Sequence, residues 1–369
     1  MPSRLPRSSS CCPGGSLCRL RQSSRLPGLF RRLAGGLFLW ILLSAVLFLF
    51  ASCRKKTVWQ TDYDAALQDA KTQGKDVFVL FSGEDWDGKT TGFRTEVLDT
   101  EEFSAFVKDK YVLLNIDLSE AEQANAIAAA DADDQAKADA ARLQSVIDAK
   151  NTAIRLYGIS SYPTVCILSS EGYVLSFVQY NEGLNSPSVL TDVLDELAPA
   201  MADVSAALAQ VRGAAGAEKV RAIDRLYTVT PEAGRRPLAA LVREVPSLDP
   251  ANESGLVGKY EFIKTYDEVI ESLSEGRNEG VVEAFVTLAE HGHLDPAQKL
   301  EAYYNAAYLM ALLGDSDYDR MFELLQKAQD VDPESVKMED IANLKQMISQ
   351  MRDIMNQDEG FLPGMTVHD

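Results

Sequence analysis

Two short stretches, Val77-Phe78-Val79-Leu80-Phe81 and Tyr111 to Ile116, constrain this chain more than anything else in it. Each is a continuous apolar run without polar alternation, the pattern of a strand covered on both faces. A sheet covered on both sides requires helices above and below it, which predicts an α/β domain around these runs. The flanking sequence supplies the helices. Tyr63 to Thr72 is amphipathic, with Ala65, Ala66 and Ala70 among its apolar positions, and Gly74 stops it. Ser82 to Gly88 reads as a polar loop and Thr90 to Phe106 as mostly helix. Glu120 to Arg155 is Ala-rich and helical, with Asp131, Asp133 and Asp134 as an interruption or loop. Thr164 to Leu168 and Tyr173 to Val178 flank Ser169-Ser170-Glu171-Gly172 as a hairpin, and Ser188 to Leu197 closes the segment as a helix.

The order β-α-β-α-β-β-α, parallel strands first and an antiparallel hairpin last, resembles the thioredoxin arrangement. Three segments carry that resemblance. Lys75 to Trp86 (KDVFVLFSGEDW) is similar to the strand and loop that lead into the active site of exported thioredoxins and thioredoxin-like lipoproteins. Phe103 to Asp117 is similar to their next helix and strand, and Tyr157 to Leu168 to the stretch holding a cis-proline, here Pro163. The resemblance implies a thioredoxin-like fold over residues 58–198. It also implies a shallow groove, lined by Trp86, Tyr162, Pro163 and Thr164, that holds an extended peptide partly by backbone pairing, the alternative being that these side chains only support the packing of the loop.

The family's chemistry is not carried over. Where the resemblance places Cys-x-x-Cys after Trp86, this chain has Asp87-Gly88-Lys89-Thr90. Disulfide exchange needs an attacking thiolate and a second thiol that resolves the mixed disulfide, and Asp87 and Thr90 supply neither. A carboxylate at Asp87 suits the first turn of a helix, where it caps free N–H groups and meets the positive end of the dipole. Glu84, Asp85 and Asp87 form an acidic loop that reads either as a cap with solvated neighbours or as a divalent-cation loop. Cys166, among Val165, Ile167 and Leu168, reads as a small buried hydrophobe. No cofactor is expected. His291, His293 and His368 offer no metal-ligand spacing, since His-Gly-His places two rings off a common helix face.

After Pro199 the strand signals vanish. Helical stretches broken by Gly, Pro and Asp continue to Gln357, the pattern of paired antiparallel helices. Within them Asn305 to Pro333 resembles one tetratricopeptide unit, with its Leu-Gly-Asp turn and closing Asp-Pro. A single unit cannot bury its face alone, so residues 199–357 are expected to form an all-α, TPR-like domain of stacked helix pairs. Such stacks present a surface for a protein or peptide, or brace the neighbouring domain. Residues 358–369 are left as a tail.

Residues 1–52 hold seven arginines and no acid, leaving 29 of the 36 bases against all 55 acids in the remainder, a net charge near −26. That balance excludes nucleic acid as a partner, because phosphate binding requires a basic footprint. An apolar run from Leu33 to Ser52 ends at Cys53-Arg54-Lys55-Lys56. It reads as an export signal whose boundary, Leu49-Phe50-Ala51-Ser52-Cys53, resembles a lipobox with Cys53 as the lipidated residue and residues 53–57 as a tether. Its twenty residues also suffice for an uncleaved membrane anchor. Either way the expected location is the bacterial cell envelope, with the body exported. The functional expectation is a membrane-tethered, redox-inactive module that binds a protein or peptide partner there. The alternatives are a thiol-disulfide oxidoreductase or isomerase, as the resemblance alone implies, and an envelope folding helper.

Overall fold

A computed structural model describes residues 58–359. The apolar run Leu33–Ser52, Cys53 and the end of the chain lie outside the described residues.

The two apolar runs become neighbouring strands. β2 (Asp76–Ser82) pairs in parallel with β3 (Tyr111–Asp117) over seven residues, from Asp76 opposite Tyr111 to Ser82 opposite Asp117. β4 (Thr164–Leu168) pairs antiparallel with β2, and β5 (Val174–Gln179) antiparallel with β4. A two-residue strand, β1 (Trp59–Gln60), completes a five-stranded mixed sheet of order β1-β3-β2-β4-β5. β1 was not foreseen. Two residues without an apolar run leave no periodic signal, and parallel pairing to β3 creates the strand.

Both faces of the sheet are covered, as the unbroken apolar runs require. Val77, Val79 and Phe81 pack with Ala66 and Ala70 of α1 (Tyr63–Gln73) and Ala153 of α5 (Asp134–Leu156). Phe78 and Leu80 face the other way, toward Phe103 of α3 (Glu101–Val107) and Leu190 and Leu194 of α6 (Pro187–Gly213). The expected helix Thr90–Phe106 is divided into α2 (Gly88–Phe93), a π-helical turn (Arg94–Leu98) and α3. Thr100 causes the division, because its hydroxyl caps α3 by accepting the Phe103 N–H at 3.3 Å. The Ala-rich stretch is likewise two helices, α4 (Glu120–Asn125) and α5, the second capped by Asp133 at the expected interruption.

α6 departs most from expectation. Instead of ending at Leu197, it runs through Pro199 to Gly213. Interior proline forfeits a backbone hydrogen bond and crowds the preceding turn, at about 3 kcal/mol. Here Leu190, Leu194, Met201, Val204, Leu208 and Val211 keep helical spacing across the proline and are all buried. Each such side chain stabilises by roughly 1.5–3 kcal/mol, so the stripe outweighs the break.

Among the described residues the chain beyond α6 is all helical: α7 (Gly216–Val229), α8 (Ala239–Leu248), α9 (Val257–Ser274), α10 (Val281–His291), α11 (Pro296–Leu312), α12 (Tyr318–Val331) and α13 (Met338–Glu359). One apolar cluster joins the sheet's Phe78 face to Leu226, Val245 and Tyr260. A second begins at Val269 and takes in Phe285, Met310, Leu325 and Ile348. The change of core therefore falls within α9, well past residue 198. The TPR-like segment forms α11 and α12, packed through Ala306, Ala307 and Ala328, small residues that allow close helix approach.

Among the described residues no helix is long and apolar enough to cross a membrane.

Candidate functional site

Parallel register brings the C-terminal ends of β2 and β3 side by side, and polar residues there fasten the two following loops together. The Ser82 hydroxyl lies 2.8 Å from Asn115 Oδ1 and 2.9 Å from Asp117 Oδ1. The same Asp117 oxygen accepts the Glu84 N–H at 2.8 Å. Asn115 donates to Glu84 Oε1 at 2.8 Å, and Arg94 donates to that oxygen at 2.6 Å. Asp85 accepts the Ser119 hydroxyl at 2.7 Å and the N–H groups of Ala121 and Glu120 at 3.0 and 3.1 Å. These bonds, that from the Ala121 N–H foremost, hold its carboxyl below the usual value.

Asp87 is the N-cap of α2. It accepts the N–H groups of Lys89 and Thr90 at 3.3 and 3.0 Å and the Thr90 hydroxyl at 2.7 Å. Thr90 is buried behind the loop, its oxygen 3.4 Å from the Gly83 N–H. Each of the three loop acids is thus engaged: Glu84 by Asn115 and Arg94, Asp85 by the start of α4, Asp87 by the start of α2. Among the described residues no cluster of three or more His, Cys, Asp or Glu is placed to hold a metal ion.

Trp86 projects from this loop, 43% exposed. Its indole N–H donates to the Leu118 carbonyl at 2.6 Å. The ring lies on Gly83 so closely that a Cβ there would sit 2.3 Å from two ring carbons, so only glycine leaves room. Tyr162 meets Trp86 edge to face, centroids 5.5 Å apart, and precedes Pro163 across a cis peptide bond. Partial burial raises the Tyr162 phenol above its ordinary value. Thr164 is buried and donates its hydroxyl to the Ser161 carbonyl at 2.7 Å. The structure therefore brings Trp86 and Tyr162 together, while Pro163 and Thr164 are buried. Asp87 follows Trp86 directly and is joined to Thr90 by the hydroxyl hydrogen bond.

Where Cys-x-x-Cys would place two sulfurs, an O–H···O hydrogen bond joins Asp87 and Thr90. Cys166, the free cysteine among the described residues, is fully buried on the sheet face toward α1 and α5. Burial pushes its thiol well up, which disfavours the thiolate that exchange requires. The residues that sequence reasoning did not single out are Ser82, Asn115, Asp117 and Arg94. The available signal was polar Asn115 and Asp117 at the end of an otherwise apolar strand.

A family model described as thioredoxin-like matches residues 58–170. Those residues are a thioredoxin-like domain. A second family model, described as an uncharacterised protein C-terminal domain, matches residues 256–358. The chain is 40% identical over 60 residues to the thioredoxin-related protein DsbJ of Chlamydia pneumoniae, covering 16% of this chain and 17% of that one. It is 27% identical over 197 residues to an uncharacterised protein of Treponema pallidum (strain Nichols), covering 53% of this chain and 64% of that one. The chain thus spans less than two thirds of either curated relative. A solved structure of DsbH oxidoreductase matches 40% of this chain and 92% of that chain at 16% identity, with a TM-score of 0.28. Residues 58–170 are accordingly thioredoxin-like, with a 60-residue relationship to DsbJ, and the described C-terminal region is all helical.

Proposed function

We propose that this protein is a redox-inactive member of the thioredoxin-like group that holds an extended protein segment against Trp86, Tyr162, Pro163 and Thr164. The observation that carries the reading is the Asp87–Thr90 pair, which keeps the helix start capped and provides no sulfur. The groove side chains are positioned without any thiol. Trp86 is fixed by Leu118 and Gly83 and remains exposed. Aromatic side chains held rigidly at a surface give much of the binding energy of protein contacts at little entropic cost. The stacked helices provide a second surface for the same or another partner.

The location that accompanies this reading is the bacterial cell envelope. A tether through lipidated Cys53 or through the apolar run Leu33–Ser52 would hold the body outside the cytoplasm. The rival is a thiol-disulfide oxidoreductase or isomerase, which the likeness of residues 58–170 to thioredoxin-like proteins favours. Its only nucleophile within the described residues would be Cys166, which is buried. An envelope folding helper differs from the leading reading in having many weak partners.

Photo-crosslinking from positions 86 and 162 of the full-length protein in cells tests the reading. Discrete crosslinked proteins are expected, and Tyr162→Ala should weaken those formed from position 86. Absence of any crosslink from both positions, with abundant folded protein, would contradict it. Mass spectrometry of the mature N-terminus distinguishes a lipidated Cys53 from an intact anchor.

A further inference from the structure

A cleft away from Trp86 has no role in this reading. It opens between the start of α1, the end of β3 and the middle of α5, with a volume of about 390 Å³, within the range of small-molecule sites. Its apolar wall is a helical stripe on α5, where Val146, Ala149 and Ala153 follow one another at intervals of three and four residues. Such a stripe ordinarily meets another element. Here no element covers its outer part: Val146 is 43% exposed and Ala149 is exposed, and only Ala153 reaches the core. Ile116 and Leu156 form the floor. Tyr63 lines one side, its hydroxyl turned inward to within 2.5 Å of the Tyr157 hydroxyl.

The charges at the mouth are unbalanced. Lys150, the one cation lining the cleft, is paired with Glu122. Asp62 uses one oxygen to cap α1, accepting the Ala65 N–H at 2.8 Å. Asp64 lies at the same mouth, exposed, with neither a hydrogen bond nor an ion pair among the described residues. An apolar wall beneath two carboxylates, with the neighbouring cation already neutralised, selects a ligand with an apolar body and a positive head.

We propose that this cleft binds small hydrophobic amines, the carbon body against Val146 and Ala149 and the ammonium at Asp62 and Asp64. The site is independent of the peptide groove. It lies on the same strand end, because Ile116 immediately precedes Asp117, whose carboxylate holds the Trp86 loop.

Ligand-observed NMR with full-length protein in nanodiscs, and empty nanodiscs as reference, tests this with hexylamine, 1-hexanol and hexanoate. Hexylamine should bind more tightly than hexanol by a factor on the order of five, the contribution of an exposed ion pair, and hexanoate more weakly than both. Asp64→Asn should weaken the preference for the amine and leave hexanol unaffected. Ala149→Trp should fill the cleft and abolish binding of all three. Val146→Lys, at a half-exposed position that folding tolerates, should invert the order in favour of hexanoate. The proposal is overturned if the three compounds bind alike, if the amine preference is undiminished in Asp64→Asn, or if the folded wild-type protein binds none of them.

Discussion

The two ends of the sheet are built in opposite ways. At the end where the β4–β5 turn lies, the helical half closes over the fold. Gly234 sits on the Val174 side chain, Arg236 donates to the Arg155 carbonyl at 2.7 Å, and Arg212 pairs with Glu171 at 2.9 Å. At the other end, past Ser82 and Asp117, the loops are tied to each other by side-chain hydrogen bonds, and Trp86 and Tyr162 face outward. One end is held by packing from another element, the other by its own polar network. The difference teaches that the helical half can brace the thioredoxin-like domain while Trp86 stays exposed.

The same substitution at each end separates the two kinds of construction. Gly234→Ala places a Cβ 2.7 Å from the Val174 Cβ in a packed interface. It should destabilise by about 1–3 kcal/mol, visible as a lowered urea midpoint. Gly83→Ala should expel the Trp86 ring, at about 1–2 kcal/mol for the lost hydrogen bond and aromatic pair. Its larger consequence is local: the Trp86 emission should shift to the red, and crosslinking from position 162 should fall. Comparable losses of groove function in both variants would mean that the two ends are not independent.

Smaller effects sharpen the account of the polar end. Asp87→Ala removes the cap of α2 and should cost about 1 kcal/mol, whereas Asp87→Asn, which can still accept the Thr90 N–H, should cost less. Asp85 has a folded-state value below the ordinary carboxylate value, so the stability it contributes is present above that ordinary value, 3.8, and is lost as pH falls through the lower folded value. Urea midpoints taken from pH 5 down to pH 2 should therefore fall more steeply in the wild type than in Asp85→Asn.

How much of this was legible in the sequence follows from the range of the interactions. β2 and β3 were legible because a strand covered on both faces leaves an unbroken apolar run. The hairpin was legible from Ser-Ser-Glu-Gly, and the helix start at Asp87 from the residue types around it. The pairing of Trp86 with Tyr162 depends on residues 76 positions apart, and only the resemblance to thioredoxins suggested it. The network of Ser82, Asn115 and Asp117 exists because parallel register aligns two strand ends, which no local pattern encodes. Pro199 misled for a physical reason. Proline lowers helix propensity locally, while the buried stripe from Leu190 to Val211 that overrides it becomes decisive only once the sheet is in place.

The central proposal is that the capped, thiol-free start of α2 supports no disulfide chemistry. Disulfide-reduction turnover of the full-length wild type, measured beside a variant carrying both Asp87→Cys and Thr90→Cys, tests it most directly. The account predicts no turnover by the wild type, unchanged by Cys166→Ser, and measurable turnover once both cysteines are introduced. Wild-type turnover that disappears in Cys166→Ser would contradict it.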